Sequence, residues 1–154
     1  YITTSFELTN RYEDNICLIE KFSPDKIYSC VFYDAELSLF YLKRFSAESI
    51  NKPSSIVGEH EDSYIVIISS HPQAEFNIKF GGDHKHRPDE QVIAEEFIAV
   101  KSDKAKGKRL SNYKIAKITE ISALLPEIED EADDNSENGE DSDSGEPIQL
   151  TLDL

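Results

Sequence analysis

YSCVFYDAELSLFYLKRF, residues 28–45, sets two apolar runs on either side of a short polar segment. Tyr28-Ser29-Cys30-Val31-Phe32 and Phe40-Tyr41-Leu42 are rich in aromatic and β-branched side chains, and Asp34 to Glu36 supplies turn chemistry between them. Such a pattern reads as a β-hairpin. The aromatic-x-aliphatic signature of its second arm, Phe40/Leu42, recurs elsewhere as Phe6/Leu8, Phe76/Ile78 and Tyr113/Ile115, with spacings of 34, 36 and 37 between successive aromatics. Further apolar runs, Tyr64 to Ile68 and Phe97 to Val100, precede the last two signatures, with polar segments Ser69 to Gln73 and Ser102 to Gly107 between. A period near 36 predicts an all-β fold of repeated β-hairpins, a partial or reduced propeller-like array. The partner of the Phe6 strand is then expected upstream of Tyr1, and the absence of any methionine agrees either with a processed start or, as the repeat pattern favours, with a piece of a larger protein. An ordinary β-sandwich with coincidental spacing gives a similar pattern. Helix is scarce: the best short candidate is Ile16 to Phe22, ahead of Pro24, and it reads equally well as a strand.

The third repeat is longer than its sisters. From opening to closing aromatic the first two take 12 residues (28 to 40, 64 to 76) and the last takes 16 (97 to 113). The added length falls within the loop KSDKAKGKRL, so the insertion and a concentration of charge coincide. Across residues 101–117 seven bases, Lys101, Lys104, Lys106, Lys108, Arg109, Lys114 and Lys117, face the single acid Asp103. Lysine neutralises phosphate well and reads base edges poorly, so the run predicts strong, salt-sensitive and weakly sequence-selective binding to double-stranded DNA. Gly107 allows a tight bend with positive φ that brings backbone close to a ligand. Lys43, Arg44 and Lys79, in the closing strands of the two preceding repeats, extend the patch into a track. The plainer reading is that these bases keep exposed strands soluble.

Charge divides the chain. The formal net charge is −15, yet 12 of the 31 acidic residues and none of the 16 basic ones lie beyond Pro126. Residues 1–126 are expected to form the domain. Residues 127–154 are expected to form a disordered acidic tail, because EIEDEADDNSENGEDSDSGE has too little apolar surface to offset ordering. A tethered polyanion beside a cationic loop competes with DNA at high effective concentration. A solubilising tail without regulatory effect is the alternative. The terminus, PIQLTLDL, resembles the short peptides by which bacterial replication and repair proteins dock on the sliding clamp, with Gln149, Leu150, Leu152 and Leu154 as contacts. It reads otherwise as an end strand docking on the domain.

Cys17 and Cys30 sit in apolar surroundings and read as reduced, semi-buried thiols of a cytoplasmic protein. No apolar run approaches the ~20 residues that span a bilayer, so no membrane partner is expected. His84 and His86 have a metal-compatible spacing without a clear third ligand, and a polar inter-repeat loop accounts for them better. There is no phosphate-cradling glycine loop and no nucleophile elbow.

EEFIAVKSDKAKGKRLSNYKIAKI and LIEKFSPDKIYSCVFYDAELSLFYLKRFS together resemble the C-terminal domain of type IIA DNA topoisomerase A subunits, especially that of topoisomerase IV. The likeness covers most of residues 1–126, with the basic glycine hairpin its most distinctive part. The resemblance implies a β-pinwheel, a propeller variant whose basic rim bends DNA beside the cleavage core. It assigns phosphate contacts to Lys101, Lys104, Lys106, Lys108 and Arg109, with Lys114 and Lys117 as secondary positions. It also implies a non-catalytic piece with no catalytic residue and no cofactor of its own. ATP, Mg and the catalytic tyrosine belong to the remainder of the topoisomerase and to its ATPase subunit, which become partners. The glycine-rich box of gyrase A subunits is absent, which points to a topoisomerase IV-like role. The repeats are fewer than in a full pinwheel, so a reduced or open array is expected. The competing reading is a β-repeat protein-interaction module that recruits partners, such as the sliding clamp, through its tail.

Overall fold

The computed structural model describes residues 1–4, 14–49 and 51–121. The expected Phe6/Leu8 strand, the acidic tail and the terminal Gln149, Leu150, Leu152 and Leu154 lie outside them. Among the described residues eight strands dominate, joined by a 3₁₀ turn at Gly82–His84 and one turn of helix, α1 (Ala94–Phe97). No helix among the described residues is long and apolar enough to cross a membrane.

The first hairpin forms as the sequence indicates. β1 (Ile27–Asp34) and β2 (Leu39–Ser46) pair antiparallel, with Val31 opposite Leu42 and Tyr33 opposite Phe40. At the turn the Asp34 carboxylate accepts the Leu37 N–H at 3.2 Å, and Ser38 adopts φ 54°. Both faces of this hairpin are apolar because both are covered. On one face Val31 and Leu42 join the main core, and on the other Tyr28, Cys30, Phe32, Tyr41 and Phe45 form a second cluster with Ile56. Near-continuous apolar runs are the signature of strands buried on both sides.

The other two expected hairpins do not form. β3 (Tyr64–Ser69) pairs with the outer edge of β1, with a bulge at Val66, and not with the run that follows it. The chain instead crosses to a second layer. There β4 (Glu75–Phe80) is flanked by β5 (Glu90–Ile93) and β8 (Ile115–Glu120), both antiparallel. The reason lies in which faces are apolar. β4 alternates cleanly, burying Phe76, Ile78 and Phe80 while Lys79 stays exposed, and so forms a one-faced layer over the main core. β3 supplies apolar side chains to both clusters.

The Phe97–Val100 run also departs from expectation. Phe97 ends α1, where the Ile98 N–H donates to the Ala94 carbonyl at 3.1 Å, and only β6 (Val100–Lys101) is extended, running parallel to β2. β7 (Lys108–Arg109) then returns antiparallel along the same edge of β2. The Ile16–Phe22 segment is neither helix nor strand, and Ile19 is 72% exposed there. Both cysteines are free. Cys30 is fully buried, and burial pushes its thiol up to about 12, whereas Cys17 is exposed rather than semi-buried.

Candidate nucleic-acid interface

The cationic insertion is a loop fastened at both ends to one strand. Val100 and Lys101 lie beside Arg44 and Phe45, Lys108 and Arg109 lie beside Leu42 and Tyr41, and the Leu110 N–H continues the edge by donating to the Phe40 carbonyl at 2.9 Å. Gly107 is what lets the loop lie so close. Its φ is +87°, and a Cβ there would stand 2.6 Å from the Leu42 carbonyl oxygen. The positive φ expected at this glycine is present, but the close approach it makes is to β2 and not the expected one to a ligand.

Lys43 and Arg44, expected to extend the basic surface, are buried, at 3% and 8% exposure. Both β2 neighbours fall inside because this strand is covered on both faces. The Lys43 ammonium donates to the backbone carbonyls of Asp103 at 2.7 Å, Ala105 at 3.2 Å and Ile56, so its three hydrogens meet three acceptors. The Phe32 and Phe45 rings lie 5.4 and 5.8 Å from it. Burial pulls the ammonium below its ordinary value, and the neighbouring Cys30 and Asp103 pull the other way. The Arg44 guanidinium donates to the Ile98 carbonyl at 3.4 Å. Lys43 is thus a tether between sheet and loop rather than a surface charge.

The one acid of the run is a second tether. The Asp103 carboxylate is 5% exposed and accepts hydrogen bonds from the hydroxyls of Tyr1 (3.1 Å), Ser54 (3.3 Å) and Ser102 (3.2 Å). Burial raises its pKa, but those hydroxyls together with the Lys104 ammonium at 4.0 Å outweigh it and hold the carboxyl below its ordinary value. Lys104 itself bends back, donating to the Ser54 hydroxyl at 2.7 Å and the Ser55 carbonyl at 3.0 Å.

The remaining loop cations are exposed: Lys101, Lys106, Lys108 and Arg109. Lys106 passes over the Tyr41 ring at 5.5 Å. Lys108 lies 4.3 Å from the Phe97 ring and donates to the Phe97 carbonyl at 3.2 Å, and Arg109 donates to the Asn112 side chain. Among the described residues, no ion pair engages any of the four. In the second layer Lys79 and Lys117 stand directly opposite one another on β4 and β8, both exposed, and Lys114 is exposed just ahead of β8. Like charges in direct cross-strand register destabilise a sheet.

The sequence reading missed the anchoring role of Lys43 and Asp103, together with their partners Tyr1, Ser54 and Ile56. A single acid within a run of seven bases was the available signal for Asp103. A lysine, followed by an arginine, in the middle of a largely aromatic and aliphatic strand was the signal for Lys43. Among the described residues, no three His, Cys, Asp or Glu side chains group as a metal site, and His84 packs edge-on against Tyr113 at 4.8 Å.

Residues 1–122 match the family model described as topoisomerase C-terminal domain, Bacteroidota. No curated protein and no solved structure matches the chain.

Proposed function

Because the chain belongs to the topoisomerase C-terminal domain family of Bacteroidota, we propose that it is a non-catalytic DNA-holding domain of a type II topoisomerase. Its tethered basic loop grips duplex phosphates and guides which DNA segment the enzyme processes. The observation that carries this reading is the pre-set loop: four exposed cations without carboxylate partners among the described residues, on a backbone already fixed by Lys43, Asp103 and Gly107. A loop ordered before binding loses little entropy on contact, so the charge it presents is converted into affinity. Lys79, Lys114 and Lys117 offer further phosphate contacts on the second layer.

Sequence selectivity is expected to be weak, because the exposed groups are mainly lysines and the binding is mainly phosphate neutralisation. The test is the binding of the full chain to a labelled duplex of ~40 base pairs across a salt series. Contacts to four to seven phosphates predict a log–log slope of about −4 to −6. Binding that is absent at low salt, or indifferent to salt, refutes the proposal.

A further inference from the structure

A row of aromatic rings crosses the end of the first sheet. Phe40 on β2, Tyr33 on β1 and Tyr64 on β3 are successive cross-strand partners. The Tyr33 ring lies 5.0 Å from Phe40 and 5.3 Å from Tyr64, and Tyr64 is 52% exposed. Beside the row an open cleft of about 360 Å³ separates Tyr33 and Phe40 from the segment Ser111–Ile115. Its size lies in the range of sites for small planar ligands.

The opposite wall is Tyr113, 39% exposed, whose ring is fixed by the Arg87 guanidinium 3.7 Å from its centre and by Phe80 and His84 edge-on. Polar groups in the cleft come from Ser38, Ser111, Asn112 and Lys114, and no acidic residue lines it. The Asn112 carbonyl oxygen already accepts from Arg109, which leaves its amide hydrogens for a ligand. The cleft follows directly on the cationic loop: Arg109 pairs with Tyr41, the neighbour of Phe40.

Aromatic faces in a row, an amide to meet a base edge and cations for the backbone are the elements of a single-strand platform. A duplex keeps its base faces stacked on one another and presents none of them to such rings. We propose that the Phe40–Tyr33–Tyr64 row and the Tyr113 cleft hold unpaired bases of single-stranded DNA, a surface distinct from the loop that grips duplex phosphate. The inference rests on the nucleic-acid reading above and adds a second substrate state to it. Bases are held by stacking, so preference among them is weak, whereas removal of the bases abolishes the contact.

The experiment compares three labelled ligands on the full chain at one salt concentration: a ten-residue oligothymidylate, an abasic oligomer of the same length and charge, and the duplex. The oligothymidylate is expected to bind about tenfold more tightly than the abasic oligomer, a ratio in line with one or two stacked bases. Tyr64→Leu and Tyr113→Leu are expected to bring that ratio close to one while duplex affinity stays unchanged. Equal binding of the oligothymidylate and the abasic oligomer by the unsubstituted chain, with duplex binding intact, overturns this inference alone. Loss of duplex binding as well overturns the proposed function. Equal binding by the unsubstituted chain overturns the inference even if a variant fails to fold.

Discussion

The Lys43 ammonium, on a central strand, lies 2.7 Å from the backbone carbonyl of Asp103, 60 residues further along the chain. The contact joins a buried charge to the base of the cationic loop, so the charges on the surface depend on one that is hidden. Replacing Lys43 by methionine keeps the volume but leaves three carbonyls without their donor. The expected loss of stability is on the order of 3 kcal/mol, read by denaturant unfolding. Amide exchange in residues 102–106 is expected to quicken more than exchange in β4. Uniform acceleration in both places would show a general loss of core packing rather than a released tether.

Gly107→Ala tests the close approach directly. The positive φ and the 2.6 Å contact with the Leu42 carbonyl cannot both persist once a Cβ is added. A loss of about 2 kcal/mol is expected, together with weaker duplex binding as the loop lifts from β2. A variant of unchanged stability and affinity would show that the loop does not need this fit.

Acid is expected to loosen the same loop. The Asp103 carboxyl is held below its ordinary value in the folded state. Its stabilising contribution is therefore complete above the unfolded value of about 3.9 and is lost as pH falls through the lower folded value. Between pH 7 and 5 this group should change nothing. Below about pH 4, the thermal midpoint of the native chain should fall more steeply than that of Asp103→Asn, which has no such proton to gain. Parallel slopes for the two would show that Asp103 does not hold the loop.

Removal of Glu127–Leu154, which carries 12 acids and no base, is expected to tighten duplex binding several-fold at low salt and to have no effect at high salt. Unchanged affinity at low salt would leave the tail as a solubilising segment.

The 28–45 hairpin was legible because its apolar pattern and its turn agree, and local agreement of that kind is what a short antiparallel pair needs. The Tyr64–Ile68 and Phe76–Ile78 strands were legible as strands but not as partners. Alternation states which side chains are buried, and it does not state whether the next strand extends the same sheet or lies across the core from it. Phe97 was lost to a turn of helix because a four-residue apolar run fits either conformation. At the site, the Lys101–Arg109 concentration and the bend at Gly107 were visible. The inward turn of Lys43 and Arg44 was not, since burial on both faces of β2 is a property of the packed layers and not of the strand's own residues.

If the tethered loop holds DNA through its exposed cations, removing those cations must remove most of the salt dependence with them. The decisive comparison is the salt dependence of duplex affinity for the full chain beside the variant Lys101→Ala, Lys106→Ala, Lys108→Ala, Arg109→Ala, with thermal melting to establish that both are folded. Each lost phosphate contact lowers the magnitude of the slope by about 0.9, so a fall of about 3 to 4 and a large loss of affinity at low salt are predicted. A folded variant that binds duplex with undiminished affinity and slope would show that DNA is held elsewhere.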